Sequence, residues 1–360
     1  MAHIAIFLMP ERGHVLPALG MIAELVRRGH RVSCPVPPAF STAVTECGAT
    51  AIPCTTTLPP ELPASLYDAA QLALTEAETA LLELEPVFRD DPPDIVLWDI
   101  AAWAGGVIGR RLGVPHLLLD SLLTSNPHWS LGQAVMPARK FDRDAIRFFT
   151  RVQSFVGCSL PEFVAGTRRR IALFPREFQP EGDTFDERFV FTGPCLTERT
   201  FQGTWKPPGG TPVVLATTGT QVCADAARGM PWHLVTKGRI ENPAPNVEVH
   251  DDVPQLAVLE HASVFITRGG LGGVMEALHH GVPMIVVPHM TDQHLNGQRV
   301  EELGLGVLLD TVTEEGVRSL VGQLASDSAI SARVKDMRRM IHQAGGSTLA
   351  ADVVEEELAR

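Results

Sequence analysis

Short apolar runs alternate with longer amphipathic stretches in the first third of the chain. Residues 4–8 (Ile-Ala-Ile-Phe-Leu) form a continuous apolar run, as expected for a parallel strand that is covered on both faces. Apolar residues at helical spacing follow at 17–28, and Gly29 ends that segment like a C-cap. This repetition of strand and helix predicts a doubly wound parallel α/β sheet. Its other strands are predicted at 32–36, 95–98 and 116–119, with a helix at about 101–112.

The alternation stops at about 197–212 and then restarts. Residues 203–210 (Gly-Thr-Trp-Lys-Pro-Pro-Gly-Gly) are polar and rich in proline and glycine, which is typical of an interdomain linker. Beyond them a helix is predicted at 272–279, and strands at 213–216, 232–235, 247–249, 264–267 and 284–287. The sequence therefore predicts two α/β domains. We place the domains at 1–200 and 213–345, the linker at 201–212, and a C-terminal helix that could return to the first domain at 346–360.

Composition narrows the class of protein. A chain of 360 residues with 45% hydrophobic and 20% charged residues has enough apolar material for two cores. Its formal net charge of -12 disfavours nucleic acid and anionic membranes as partners. We find no basic leader and no apolar stretch of the roughly 20 residues that a membrane helix needs. The six cysteines include no CxxC pair, so we expect free thiols and a cytoplasmic protein.

A histidine follows the first predicted strand. Gly13 is expected to let the chain turn tightly, and Pro17 suits the first turn of a helix, so His14 should be presented at the carboxyl end of the sheet. Ligands bind at such strand ends in open α/β folds. An imidazole there can take a proton from a hydroxyl near neutral pH. The alternative is a structural histidine at the start of the helix.

An aspartate ends another strand of the same half. Asp99 follows residues 95–98 and could hold the second ring nitrogen of His14, stabilising the imidazolium as in catalytic triads. The alternative is that Asp99 caps the helix that follows it.

A glycine-rich turn follows the strand at 264–267. Its sequence, Arg268-Gly269-Gly270-Leu271-Gly272-Gly273, leads into a helix whose N-terminal N–H groups and dipole favour an anion. Arg268 adds guanidinium donors for a phosphate, and Glu276 could accept hydrogen bonds from ribose hydroxyls. The spacing matches neither the dinucleotide fingerprint nor the P-loop. We interpret the segment as a phosphate site, with a plain glycine-rich turn as the alternative.

A second polar group follows the strand at 284–287. Asp292 and Gln293 offer acceptors and donors for sugar hydroxyls, and Asn296 is a further candidate on the same stretch. A solvated loop or a helix cap is the alternative. We predict no metal site, because the histidines show no ligand spacing with cysteine or aspartate. No Gly-x-Ser-x-Gly elbow of a serine hydrolase is present.

Taken together, these residues resemble the UDP-glycosyltransferase superfamily, and most closely its bacterial macrolide-glycosylating branch. The resemblance runs through nearly the whole chain and is specific at 3–17, 94–99 and 246–296. It implies a GT-B fold, with two Rossmann-like domains facing each other across a cleft. The acceptor would bind in the N-terminal domain and the nucleotide sugar in the C-terminal one. It also implies an inverting transfer that needs no metal, with UDP-glucose as the favoured nucleotide sugar. We expect a monomer or homodimer that uses the nucleotide sugar as co-substrate and needs no cofactor.

The resemblance assigns roles to individual residues. His14 would be the general base and Asp99 its partner. Glu276 matches the ribose-binding acid, and Arg268 stands where the family has a phosphate-binding histidine. Asp292 and Gln293 would bind the sugar, and Val253 and Gln255 would lie around the nucleoside. The other predicted donor-site residues are Gly13, Thr220, Gly270, Gly272, Gly273 and Asn296. We expect an apolar acceptor pocket from residues 40–82, Trp103 and 121–129, with Ser125 and Asn126 among its polar groups.

The chain departs from the family pattern at three points. Asp252 stands where a base-stacking aromatic is usual, a stack worth about 1–3 kcal/mol. Arg268 replaces the histidine, and the segments 220–232 and 239–246 are shorter than expected. Two other functions therefore stay open. One is an acceptor-binding or helper protein with an eroded donor site, and the other is a nucleotide-sugar epimerase on the same fold.

Overall fold

The computed structural model describes residues 1–135 and 143–360, which divide into two compact units. The first unit comprises Met1–Thr197 and Ala344–Arg360, and the second comprises Glu198–Gln343. The chain thus leaves the first unit once and returns to it with its last helix. No helix in these ranges is both long and apolar enough to cross a bilayer. All six cysteines are free thiols.

The first unit contains a seven-stranded parallel sheet of order β3-β2-β1-β4-β5-β6-β7. Every residue of the central strands β1 and β4 is buried, which explains the apolar runs 4–7 and 95–98 within them. The strands are β1 (His3–Phe7), β2 (Arg31–Val36), β3 (Thr50–Pro53), β4 (Ile95–Asp99), β5 (His116–Asp120), β6 (Arg170–Ala172) and β7 (Phe189–Phe191). The helices are α1 (Arg12–Arg27), α2 (Pro38–Glu46), α3 (Leu66–Asp90), α4 (Trp103–Leu112), α5 (Leu131–Val135), α6 (Arg143–Val156), α7 (Leu160–Ala165) and, from the C-terminus, α14 (Gly346–Leu358).

Helix α1 begins five residues before the predicted start at 17. The N–H groups of His14 and Val15 both donate to the carbonyl of Glu11, at 3.0 and 2.9 Å, so the helix is already formed there. The placement of Pro17 in the first turn is therefore wrong, because it lies inside the helix. An internal proline removes one N–H and crowds the preceding turn. The pattern after Pro17 is helical in its own right, which is why the sequence suggested a later start.

Gly13 does not have the structural role that we predicted from the sequence. It is the second residue of α1 and is absent from the residues with positive φ, so the tight turn that we predicted beside His14 is wrong. A Cβ at Gly13 would meet no atom within 4 Å, so the surface over this first turn is open.

The second unit contains a six-stranded parallel sheet of order β10-β9-β8-β11-β12-β13. Helices follow most of the strands, so this unit is a second Rossmann-like domain. The strands are β8 (Val213–Ala216), β9 (His233–Lys237), β10 (Val247–His250), β11 (Ala262–Thr267), β12 (Met284–Val286) and β13 (Gly306–Leu308). The helices are α8 (Thr220–Ala227), α9 (Gln255–Leu259), α10 (Leu271–His280), α11 (Thr291–Glu302), α12 (Glu314–Ser326) and α13 (Ser328–Gln343).

The connection from β9 to its parallel neighbour β10 is short. It spans residues 238–246 without a helix, although parallel strands usually need a crossover of a dozen residues or more. Gln221 of α8 accepts a hydrogen bond from the N–H of Glu241 at 2.8 Å. The amide of Asn246 donates to the carbonyls of Ala227 and Trp232, both at 2.8 Å. The short crossover is therefore fastened to α8 and to the approach to β9.

Candidate active site

The carboxyl ends of β1 and β4 bring an imidazole and a carboxylate together. These strands are neighbours, with Phe7 opposite Trp98, so α1 starts beside the end of β4. His14 Nδ1 lies 2.9 Å from Asp99 Oδ1. The Asp99 side chain is 1% exposed and that of His14 is 16% exposed. The carboxylate is thus withdrawn from water while the imidazole reaches the surface.

The other contacts of Asp99 define its state. Its Oδ1 accepts the N–H of Ala101 at 2.9 Å, and its Oδ2 accepts the hydroxyl of Ser121. The N-cap of α4 is Ala102, and no side chain caps that helix, so the interpretation of Asp99 as an N-cap does not apply. A carboxylate with these donors acts as an acceptor, so the histidine tautomer that donates from Nδ1 is favoured. Nε2 is then the basic nitrogen.

Ser121 belongs to the same group and was not singled out as catalytic from the sequence. It follows β5, the neighbour of β4, and is 5% exposed. Its Oγ lies 2.8 Å from His14 Nδ1 and donates to Asp99 Oδ2. The available signal was its place directly after a strand, at the edge of the sheet where the two other groups also lie.

A buried ion pair fixes the backbone next to Ser121. The guanidinium of Arg170 on β6 donates to both oxygens of Asp120, with Nε–Oδ2 at 2.9 Å and Nη2–Oδ1 at 2.6 Å. The same guanidinium lies over the ring of Phe189, 4.9 Å from its centroid. Such a bidentate pair has little freedom to rotate. The end of β5, and with it Ser121, is therefore held in a defined position.

The glycine-rich turn of the second unit connects β11 to α10. Gly269 has φ +84°, and a Cβ there would lie 2.6 Å from Val286, so the turn requires glycine. The amide of Asn296, which is buried, donates to the Gly269 carbonyl at 2.9 Å. Asn296 therefore stabilises the conformation of the turn through this buried hydrogen bond. No side chain caps α10 at Gly270, and Arg268 is exposed, so the arrangement can receive an anion.

The acid predicted to bind ribose is held from two sides. Glu276 is 3% exposed. Its Oε1 accepts from Arg199 Nη2 and its Oε2 from Gln255 Nε2, both at 2.6 Å. Each carboxylate oxygen can accept more than one hydrogen bond, so a ligand hydroxyl can still be bound. Arg199 was missed from the sequence, because it lies 77 positions away from Glu276 and no local pattern marks it.

The remaining predicted donor-site residues of the second unit lie in four places. Asp292 and Gln293 are in the first turn of α11, where Gln293 Oε1 accepts the N–H groups of His289 and Met290 at 2.9 and 3.2 Å. Gln293 thus has the helix-capping contacts that we named as the alternative. Thr220 is the first residue of α8, and Gly272 and Gly273 lie in the first turn of α10. Val253 is buried and lies two positions before Gln255. Asp252, which replaces the aromatic residue usual in the family, is exposed.

The candidate acceptor residues have internal partners. Trp103 is buried at the start of α4, and its indole N–H donates to the Ile100 carbonyl at 2.8 Å. Ser125 Oγ accepts the N–H of Leu131 at 3.0 Å. The amide of Asn126 makes four hydrogen bonds, two to Thr184 and two from the backbone N–H groups of residues 128 and 129. These contacts use its two donors and two acceptor lone pairs, so its polar group is committed to the loop.

Among the residues that the structure describes, no cluster of three or more histidine, cysteine or acidic side chains could hold a metal ion.

Comparison with known proteins identifies the family. The model of the erythromycin biosynthesis protein CIII-like C-terminal domain matches residues 235–355. NDP-glycosyltransferase YjiC of Bacillus licheniformis is 36% identical over 392 aligned residues, covering 99% of this chain and 98% of the relative. Oleandomycin glycosyltransferase of Streptomyces antibioticus is 35% identical over 394 residues, covering 99% and 91%. Both alignments are longer than this chain, so the relatives carry segments that it lacks.

Comparison with solved structures points to the same family. The glycotransferase of kitacinnamycin superposes with a TM-score of 0.85 at 36% identity, covering 99% of each chain. The calicheamicin glycosyltransferase CalG4 does so with a TM-score of 0.83 at 32% identity, covering 100% of this chain and 99% of the other. The fold and these matches define a glycosyltransferase of the GT-B class. Within that class the chain belongs to the UDP-glycosyltransferase superfamily, in its bacterial macrolide-glycosylating branch. The predicted family, fold class and enzyme class are confirmed.

Proposed function

We propose that the protein catalyses an inverting, metal-independent transfer of a hexose from a nucleotide diphosphate sugar to a hydroxyl of a small apolar natural product. UDP-glucose is the favoured donor, and a macrolide or a polyphenol is the favoured class of acceptor. The observation that carries the proposal is the pairing of His14 with buried Asp99 at the carboxyl edge of the first sheet. The names of relatives such as oleandomycin glycosyltransferase support a natural product as the acceptor.

The chemical step is a direct displacement. His14 Nε2 takes the proton of the acceptor hydroxyl while its oxygen forms a bond to the anomeric carbon. The bond from that carbon to the diphosphate oxygen breaks on the opposite side, so the configuration is inverted and the nucleoside diphosphate leaves. The proton remains on His14, where the charge of Asp99 stabilises the imidazolium. An imidazole with its second nitrogen already held by a carboxylate is suited to this role.

The second unit supplies the groups for the donor. Arg268 and the N–H groups at the start of α10 take up charge on the departing diphosphate. Glu276 accepts from the ribose hydroxyls, held in place by Arg199 and Gln255. The sugar hydroxyls are assigned to Asp292 and Gln293. Because these groups supply positive charge and donors without an ion, we propose that transfer continues in the presence of EDTA.

The test is mass spectrometry after incubation with a panel of nucleotide sugars and of macrolide or polyphenol acceptors. A product heavier by one hexosyl group is expected, and His14→Ala should lower its rate of formation by about 10²–10⁴-fold. His261→Ala is the control, because His261 is an exposed histidine that is not among the predicted site residues. A His14→Ala protein with near wild-type turnover would contradict the assignment of the base.

Calorimetry with UDP and with UDP-glucose tests the donor site separately. Binding at micromolar to millimolar concentration is expected. No binding at millimolar ligand would overturn the proposed donor site and favour a helper protein. Conversion of the nucleotide sugar to an isomer without any acceptor would instead identify an epimerase.

A further inference from the structure

An apolar pocket opens in the first unit at the carboxyl edge of its sheet. It lies between the ends of β1, β2 and β3 and the helix α3, with walls that include Phe7, Met9, Ala80 and Leu84. The pocket adjoins the catalytic pair. Met9 leads into α1, which carries His14, and the N–H of Ala101 in the opposite wall donates to Asp99 Oδ1 at 2.9 Å.

One acidic side chain interrupts this apolar lining. Glu76 of α3 lines the pocket and is 7% exposed. Its Oε2 accepts both the N–H and the hydroxyl of Thr57, each at 2.6 Å. The described residues provide no hydrogen-bond partner for the second oxygen, Oε1. Because this oxygen is not fully buried, it can accept a hydrogen bond from a group that enters the pocket.

Glu76 is the charged side chain among the described lining residues, so the pocket is negatively charged. No lysine, arginine or histidine is among its described lining residues. Cys54, which also lines the pocket, stays a neutral thiol, because burial, together with the charges of Glu76 and Glu83, raises its pKa to about 12. The negative charge of Glu76 is thus surrounded by apolar walls and a neutral thiol. A group that carries both a positive charge and an N–H donor would complement it.

We propose that this pocket selects acceptors that carry an aliphatic amine. The ammonium group donates to Glu76 Oε1, and the adjoining carbon skeleton packs on the walls formed by Phe7, Ala80 and Leu84. The inference rests on the proposed function, since it describes the acceptor of that reaction. It adds a specificity residue and the chemical class of group that it recognises.

A purely structural role for Glu76 makes a different prediction. Glu83, two turns further along α3, likewise accepts both the N–H and the hydroxyl of a threonine, Thr55, but with one on each of its two oxygens. Both carboxylates therefore fasten the loop after β3 to the helix, but Glu83 does not line the pocket. Glu83→Gln is accordingly the matched control. Glu76→Gln keeps the size and an oxygen acceptor for Thr57 while it removes the charge.

The experiment compares hexylamine with hexan-1-ol by calorimetry, without nucleotide sugar. The wild-type protein should bind the amine about tenfold or more tightly than the alcohol, as expected for a hydrogen bond to a charged group. Glu76→Gln should abolish that preference, and Glu83→Gln should retain it. Ala80→Phe, which fills the pocket, should remove the binding of both compounds.

Three results would overturn the inference. These are equal affinity of the wild-type protein for the two compounds, a preference for the amine that survives Glu76→Gln, and no binding of either compound at millimolar concentration. Unchanged binding by Ala80→Phe would place the probes elsewhere and overturn it as well. If Glu76→Gln does not fold, the wild-type comparison and Ala80→Phe still decide. Because no sugar donor is present, failure here leaves the transfer reaction intact, and a failed transfer assay leaves the amine preference intact.

Discussion

The Nδ1 atom of His14 lies 2.9 Å from Oδ1 of Asp99, a carboxylate that is 1% exposed. Water contributes little to the solvation of a carboxylate at such a position, so its charge is stabilised by the donors around it. These donors are the imidazole, the N–H of Ala101 and the hydroxyl of Ser121. The attraction between His14 and Asp99 is strongest when the imidazole is positive, which is its state after it has taken a proton from the acceptor.

Asp99→Asn should retain the shape of the site and lose its charge. The asparagine can no longer stabilise the imidazolium and can turn its NH₂ group toward Nδ1, which favours the other tautomer. We expect kcat to fall by about 10²–10⁴-fold at saturating donor and acceptor. Product formation measured by mass spectrometry gives the rate, and calorimetric affinity for UDP, which should not change, is the control. A kcat within about threefold of the wild type would show that the carboxylate charge is not used.

Ser121→Ala tests the third member of the group. It removes a hydroxyl that contacts both His14 and Asp99 and leaves the pair itself in place. Loss of one such hydrogen bond predicts a fall in kcat of about tenfold with an unchanged KM for the donor. Ser121→Thr, which keeps the hydroxyl, should restore most of the rate. Ser130→Ala serves as the control, because that hydroxyl accepts only a local backbone N–H. Equal kcat for the alanine and threonine variants would argue against a positioning role for the hydroxyl.

The central part of the fold could be predicted because its strands are covered on both faces. Unbroken apolar runs mark β1 and β4, and the structure places both strands within one residue of the prediction. The strands β6, β7 and β13 have three residues each, too few to show a period. In β6 the charged Arg170 also conceals the strand, and its partner Asp120 lies 50 positions earlier in the chain.

The site residues that the sequence predicted also lie next to strands with a clear apolar pattern, and the residue that it missed does not. His14 and Asp99 each follow or end a strand with a clear apolar pattern, so their position at the carboxyl edge could be inferred. Arg199 falls inside the predicted first domain, 1–200, and contacts Glu276 only through the tertiary fold. A contact across 77 positions has no period or spacing that a single sequence displays. The roles of the predicted residues in donor and acceptor binding stay predictions.

Arg199→Met should weaken both the second unit and its donor site. The side chains of Arg199 and Glu276 are 2% and 4% exposed, so removal of the guanidinium leaves a buried carboxylate without its counter-ion. Loss of one partner of such a pair typically costs about 3–5 kcal/mol. We expect a lower denaturation midpoint and weaker calorimetric binding of UDP.

Two further variants separate charge from general damage in that experiment. Arg199→Lys keeps a cation and should recover part of both losses. Arg339→Met removes an exposed ion pair with Asp336, which typically contributes about 0–1 kcal/mol, and should change neither quantity by much. If Arg199→Met melts and binds UDP like the wild type, Arg199 does not support Glu276.

The stability of the second unit should depend on pH through His279. This imidazole on α10 stacks on His342 of α13, with ring centroids 4.3 Å apart and an interplanar angle of 24°. Burial, together with the charges of His342, His280 and Arg338, lowers the pKa of His279 to about 4. Since the ordinary value is 6.5, the unfolded chain binds more protons than the folded one between pH 6.5 and 4. The stability that depends on a neutral His279 is therefore fully present above pH 6.5 and is lost as the pH falls toward 4.

His279→Phe keeps an aromatic ring in the stack and removes the titrating group. We expect the free energy of unfolding to fall less between pH 7 and 4.5 in this variant than in the wild type, by about 1–2 kcal/mol once partial solvent exposure is allowed for. Urea denaturation followed by circular dichroism at a series of pH values measures the difference. His261→Phe, at an exposed position of the same unit, should keep the wild-type pH dependence. Identical slopes for His279→Phe and the wild type would show that the protonation of His279 is not coupled to unfolding.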